Sequence, residues 1–353
     1  MRQKIIFIGF LWGIIFSYGS TSTALKECEE SSKAEDAVVL RLPVAFFPGH
    51  SLEKEELLLS ENMSEISGEK PQTGSKDQGA PKKAGAEEEF CSPEVLYRKG
   101  CKCSWRSDHK DAFGWYLQAA KRGHTRAQFE VGLHYKKGLG IRRENYEEAH
   151  KWLIRAANKG HADAQFHIAQ IYEEGLGVVQ NSEVALVWWI KAGKQGHLDA
   201  QFNAGAAYDK KGKYEPALEW WMQAAWQGDK VALYNVGHFL YTGEGIDKNP
   251  RKAYEWWLLS AEQFYGPALV MLGFLHYEGE GVVEQDPREA FKWWILAAER
   301  EYPEAQFLIG CLYHEGEGVT QNLEEATIWL RTAAEWGNRE AEKRLKDIEF
   351  KRH

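Results

Sequence analysis

The residues best suited to chemistry in this 353-residue chain are its 5 cysteines, 12 histidines and 15 tryptophans. Cys28, Cys91, Cys101 and Cys103 gather towards the N-terminus, while Cys311 stands alone. Cys101-Lys102-Cys103 lacks the paired spacing of a zinc site, so three readings stay open: a structural disulfide, a metal and free thiols. The leading expectation is a bridge from Cys91 to Cys101 or Cys103, with Cys28 a further candidate. His124, His161 and His197 recur one repeat apart, so one ion could not reach all three, and they read as polar residues finishing a helix. His134, His167, His238, His276 and His314 fall at different helical offsets. No Ser/His/Asp set, P-loop or H-E-x-x-H motif is present. The chain is expected to have no catalytic residues, no metal and no cofactor. Trp189, Trp221, Trp257 and Trp294 form a ladder able to stack sugars or bases, but core packing is the preferred reading.

The elements that must position these residues repeat. Residues 286–298, DPREAFKWWILAA, place Ala290 and Trp293 in an A-x-x-W unit followed by the small pair Ala297-Ala298. The unit recurs at Ala112/Trp115, Ala149/Trp152, Ala185/Trp188, Ala217/Trp220, Ala253/Trp256 and Ala326/Trp329. Spacings of three, four and seven put Ala, Trp and the small pair on one helical face. Asp108, Asn145, Asn181, Asn249, Asp286 and Asn322 lie four residues before the alanines and are predicted N-caps. A second run precedes each of the last six, beginning at Ala127, Ala164, Ala200, Ala232, Ala268 and Ala305. Its sixth residue is small every time: Gly132, Ala169, Gly205, Gly237, Gly273 and Gly310. That small residue is a hole in which a neighbouring helix can seat a Trp knob. Five of these runs end in G-x-G, which closes a helix here and so reads as a turn rather than a phosphate cradle.

The six runs start 37, 36, 32, 36 and 37 residues apart, the period of a helix-turn-helix solenoid. They resemble the Sel-one-like repeat (SLR), a relative of the tetratricopeptide repeat, whose pattern is A-x-x-x-L-G-x-x-Y-x-x-G-x-G-V, a polar turn, then K-A-x-x-W-x-x-K-A-A-x-x-G. Six units cover 125–338, a degenerate one begins near Phe90, and residues 339–353 close the array as a capping helix facing inward through Ala341, Leu345 and Ile348. The expected fold is an all-α, right-handed solenoid of about seven repeats. The unit from Leu198 departs from the pattern: it is short, lacks G-x-G and carries Pro216 before Ala217. Phe264 and Glu301 replace the terminal glycine of two other units.

Upstream of the array, Arg2 and Lys4 lead an apolar stretch from Ile5 to Phe16, followed by small residues at Ser22 and Ala24: a signal peptide over 1–24. An uncleaved anchor and a lipoprotein box at Cys28 are weaker readings, since Lys26 and Glu27 stand where the box needs small residues. Residues 25–89 hold 15 acidic and 8 basic residues and read as a disordered acidic spacer. Within it Val38–Phe47 is apolar, either a sticky patch or a segment that docks on the solenoid, and Asn62-Met63-Ser64 is a glycosylation sequon. Most of the chain's net charge of −8 lies in this spacer. The solenoid therefore lacks a basic stripe, which argues against nucleic acid as partner. No stable membrane span is expected after signal cleavage.

What the resemblance implies is a non-catalytic adaptor for protein or peptide partners. In the tetratricopeptide relative the first helix of each unit lines a groove. That carries groove positions onto Tyr234, His238, Tyr241, Phe274, Tyr277, Glu278, His314 and Glu315. Earlier units offer Lys136, Lys137, Glu173, Glu174, Asp209 and Lys210. The relative's Lys/Asn clamp for C-terminal carboxylates is incomplete here. Bacterial family members include exported proteins at the envelope or host interface, and a eukaryotic one serves in endoplasmic reticulum degradation. Ending in Lys351-Arg352-His353 without a lumenal retention tail, the chain fits a periplasmic or secreted bacterial protein better. The alternative is an enzyme or enzyme regulator of the cell envelope, related to peptidoglycan or β-lactams. Family members said to bind β-lactams carry intra-repeat disulfides, and the later units here lack those cysteines.

Overall fold

The computed structural model describes residues 92–280 and 282–352. The expected leader, the acidic spacer, Cys28, Cys91 and the Val38–Phe47 segment lie outside them. Every regular element among the described residues is a helix, and consecutive helices pair. The pairs are α1 (Pro93–Trp105) with α2 (His109–Lys121), α3 (Thr125–Lys137) with α4 (Tyr146–Asn158), and α5 (Ala162–Glu174) with α6 (Ser182–Gly193). Next come α7 (Leu198–Lys210) with α8 (Tyr214–Trp226), α9 (Lys230–Thr242) with α10 (Pro250–Glu262), and α11 (Gly266–Glu278) with α12 (Pro287–Ala298). Last are α13 (Pro303–Glu315) with α14 (Leu323–Glu335), and α15 (Arg339–Arg352). Each second helix also packs on the first helix of the next pair, and α15 packs on α14 through buried Ala341 and Ile348. This is an α-solenoid of seven helix pairs and one further helix.

Local chemistry starts these helices where the sequence places the starts. The side chains of Asp108, Asn145, Asn181, Asn249, Asp286 and Asn322 each accept from a first-turn amide of the second helices. His124, His161 and His197 do not finish a helix. Each is the N-cap of the next one, its Nδ1 accepting from Ala127, Ala164 or Ala200 N–H. The preceding helix closes one residue earlier on a glycine, as when Gly123 N–H bonds Ala120 O and His124 N–H bonds Ala119 O, which is the Schellman pattern.

The knob and hole are one residue out of the expected register. In six of the seven A-x-x-W units the residue that fills the hole of its own first helix is the one after the tryptophan position. Tyr116 lies against Gly100, Leu153 against Gly132, Trp221 against Gly205, Trp257 against Gly237, Trp294 against Gly273 and Leu330 against Gly310. Successive helical residues point about 100° apart, so the residue i+4 from the alanine shares its face and the one at i+3 turns aside. Trp220, one such i+3 residue, stands over Gly193 in the small pair of the preceding unit. The indole Nε1 of Trp221, Trp257 and Trp294 donates to Phe202, Tyr234 and Val270 O at 3.1, 3.1 and 3.0 Å. Trp189 and Ala169, the small residue of that unit's first helix, are both buried, and the buried Trp189 Nε1 has no acceptor among the described residues. All four ladder tryptophans are buried, so they are core and offer no stacking surface.

Units are joined by polar contacts as well. Gln128, Gln165, Gln201 and Gln306 are buried and donate to the last carbonyls of the preceding second helix, Ala120, Ala157, Gly193 and Ala298 O. The second glycine of G-x-G lets the turn rest on the neighbouring unit: a Cβ on Gly140 would meet His109 O at 2.1 Å.

Phe264 and Glu301 adopt φ of 54° and 62°, where the other units use glycine. A side chain in this region costs about 1–2 kcal/mol. Glu301 is exposed, so Glu301→Gly is expected to raise stability by about 1 kcal/mol after the greater freedom of an unfolded glycine is set against the gain. Urea denaturation checks this, and a lower midpoint would show that the glutamate makes a compensating contact.

Candidate partner-binding face

The proposed groove residues come from the middle and last turns of α9 and α11 and the last turn of α13, and the structure divides them. Tyr234 is a correction: it is only 7% exposed and stacks on Trp257, with ring centroids 6.3 Å apart, and edge-on to Tyr265 at 5.5 Å. A partner cannot reach it. The preceding-turn position faces the next unit's aromatic N-cap, and closing the junction buries the ring. His238 is half-buried beside Tyr234, and burial pushes its imidazole down to about 4, so it is neutral near pH 7.

Tyr241 and Tyr277 stand one unit apart in the same environment. Their rings lie on Trp257 and Trp294 at 5.4 and 5.5 Å. Their hydroxyls donate to Glu280 and Glu317, the middle residues of the next units' G-x-G turns. Burial and the neighbouring carboxylates raise both phenols, which stay protonated and keep donating. Lys248 lies over the Tyr241 ring at 5.2 Å. Phe274 meets Trp294 edge-on at 5.2 Å, and Glu278 is half-buried beside these rings. His314 is half-buried, and exposed Glu315 is held by Arg344 Nη1 of α15 at 2.5 Å.

Glu280 and Glu317 are site residues that the reading of the chain missed, because G-x-G was absorbed as a turn. The signal was present: Gly243-Glu244-Gly245, Gly279-Glu280-Gly281 and Gly316-Glu317-Gly318 share an acidic centre that the first two turns, centred on Leu139 and Leu176, lack. One junction before Tyr241, Asp209 and Glu244 hold the equivalent places, and burial together with Glu244 raises the Asp209 carboxyl. Further towards the N-terminus the chemistry changes. Lys136 Nζ donates to Gln170 Oε1 at 2.8 Å and lies 3.4 Å from His167, and burial lowers its pKa. Lys137, Glu174 and Lys210 are exposed and Glu173 half-buried.

Cys101 and Cys103 are half-buried and unbridged among the described residues, with the partner expected for either, Cys91, outside them. Cys101 packs in one cluster with Tyr97 and Tyr116, and burial and the neighbouring Cys101 raise both phenols. Burial raises the Cys311 thiol to about 12, a packing residue rather than a nucleophile. Among the described residues no cluster of His, Cys, Asp or Glu is arranged to hold a metal ion, and no helix is long and apolar enough to cross a membrane.

The Sel1 repeat profile matches residues 106–124, 125–161, 162–197, 230–263, 266–302 and 303–338. The chain belongs to the Sel1 repeat family. The stretch between Leu198 and Asp229 goes unmatched, the unit whose short turn and missing G-x-G already set it apart. A protective antigen present in uropathogenic Escherichia coli strains, displaying an SLR fold, superposes with a TM-score of 0.68 at 27% identity over 73% of this chain. The chain spans 57% of that antigen's length. A Sel1 repeat protein from Oxalobacter formigenes superposes with a TM-score of 0.58 at 28% identity, covering 67% of this chain and 96% of its own. No curated protein matches the sequence. Sel1 repeats generally act as protein–protein interaction scaffolds.

Proposed function

We propose that this Sel1 repeat protein is a non-catalytic adaptor that takes a protein or peptide partner against the last turns of α9, α11 and α13. The observation that carries the reading is the pair Tyr241 and Tyr277, each supported from below by a buried tryptophan and held at its hydroxyl by a carboxylate of the next unit. Rings fixed before binding lose little entropy on binding, and aromatic anchors dominate interface energetics. Glu278, Glu280 and Glu317 set negative charge beside them, which favours a segment bearing apolar anchors and a basic residue. The leader-like residues 1–24 support export to the periplasm or beyond, and bacterial envelope or host-interface proteins are the setting this combination fits.

Panning a random peptide library on the full chain tests the face. Basic peptides with apolar neighbours should be enriched, and Tyr241→Ala with Tyr277→Ala should weaken the selected peptide by at least ~2 kcal/mol in calorimetry. Because both rings pack on tryptophan, the double variant also loses some stability, so binding is measured well below its melting temperature. A double variant that binds as tightly as the parent rules out this face.

A further inference from the structure

The histidines left unused by that reading form a series. His124, His161 and His197 cap α3, α5 and α7, three successive first helices, with Nδ1 to amide distances of 3.1, 3.3 and 3.3 Å. Each ring stacks on an aromatic residue of the preceding first helix: Tyr97, Phe129 and Phe166, at 4.6, 4.6 and 4.5 Å. The side chains are 15%, 16% and 13% exposed. From Asp229 onward the same position is taken by residues without an imidazole. Asp229 and Asn338 cap through oxygen, and Tyr265 and Tyr302 make no side-chain cap bond. We propose that His124, His161 and His197 are an acid-labile cap series, in which a proton taken up at Nδ1 releases the first turns of α3, α5 and α7 and loosens the N-terminal half of the solenoid before the C-terminal half.

A capping Nδ1 needs its lone pair, so the proton of each neutral ring sits on Nε2. Adding a proton to Nδ1 sets a donor against the amide donor it had accepted from. It also places a full positive charge at a helix N-terminus, where the dipole opposes it. The surroundings differ from one cap to the next. His124 Nε2 meets Glu94 Oε2 of α1 at 3.0 Å, and Glu94 is shared with Arg98. His161 has Arg126 of α3 on one side, disfavouring its charged form, and Asp163 of its own helix on the other at 3.8 Å. His197 Nε2 lies 3.5 Å from Asp163 Oδ1 of α5. The carboxylates attract the imidazolium, but they are half-exposed, and such pairs contribute little. The cap bond itself is lost outright once Nδ1 carries a proton.

For His161, burial lowers the folded pKa below 6.5. The folded chain then binds fewer protons than the unfolded one. The contribution is complete above about pH 6.5 and is lost as the pH falls through the lower folded value. Asp229 responds in the opposite sense, because burial and Asp199 raise its carboxyl. Protonation there relieves a cost.

Other histidines, each with its pKa lowered by burial, titrate in both halves: His134, His150 and His167 in one, His238 and His276 in the other. Substitution at the caps separates the two effects. Asn338 already caps α15 from the equivalent place, so His124→Asn, His161→Asn and His197→Asn keep a cap that does not titrate. Hydrogen exchange of the full chain is read by mass spectrometry on either side of the ordinary imidazole range, as protection factors that remove the intrinsic pH dependence. In the parent, acid should lower protection in α3, α5 and α7 by about fivefold per lost cap, and less in α9 and α13. The triple variant should lose that difference. Should it fold poorly, His161→Asn alone is read at α5. The proposal is overturned if acid leaves α3, α5 and α7 as protected as α9 and α13, or if the Asn variant loses as much protection as the parent.

Discussion

Trp257→Ala is expected to lower the stability of the solenoid by about 3–5 kcal/mol. The indole is fully buried at 0% exposure, fills the hole at Gly237 and donates to Tyr234 O at 3.1 Å. Truncation removes the apolar transfer term, leaves a cavity between α9 and α10, and strips a buried carbonyl of an acceptor role it fills. It also takes away the support under Tyr241, so the proposed partner face weakens with the core. Because each repeat is stabilised chiefly by its neighbours, the loss should spread through α9–α12 rather than unfold the array at once. Urea denaturation and exchange over those helices measure it. Trp105→Ala is the control: at 88% exposure it should stay within ~0.5 kcal/mol of the parent. A Trp257→Ala midpoint equal to the parent's would mean that the hole is not closed by this ring.

The second large effect is expected at a turn. Gly140→Ala should cost about 2–4 kcal/mol, because two penalties act together. Gly140 has φ of 68°, a conformation that disfavours any side chain. Its new Cβ would also lie 2.1 Å from His109 O and 2.4 Å from His109 C, which are backbone atoms that cannot rotate away. The turn must lift off the start of α2, and the first two helix pairs separate at that edge. Gly212→Ala isolates the first penalty: its φ is 67°, yet nothing stands within 4 Å of the added Cβ. That control should lose only about 1–2 kcal/mol. Equal losses in the two variants would show that the close approach between units contributes nothing.

Helix starts are legible in this chain because a cap is a local event. Asn249 and Asp286 meet amides two or three residues away, and no distant residue decides whether they do. The period of the repeat is legible for a related reason, since each unit buries its apolar face in the same way as the last. The histidine caps are misread as helix ends because only Lys159, Gly160 and His161 separate α4 from α5, and only backbone geometry tells which helix His161 serves. Which tryptophan enters the hole needs the rotation of α10 against α9. The pattern shows two large residues, Trp256 and Trp257, and the interface chooses the one at i+4 from Ala253. The candidate face follows the same division. The aromatic and acidic residues of α9, α11 and α13 can be read from the sequence. The burial of Tyr234 against Tyr265, and the bonds from Tyr241 and Tyr277 to Glu280 and Glu317, join residues about one repeat apart. Their geometry depends on how closely successive units stack, which is set by packing across the junction rather than by either unit's own residues.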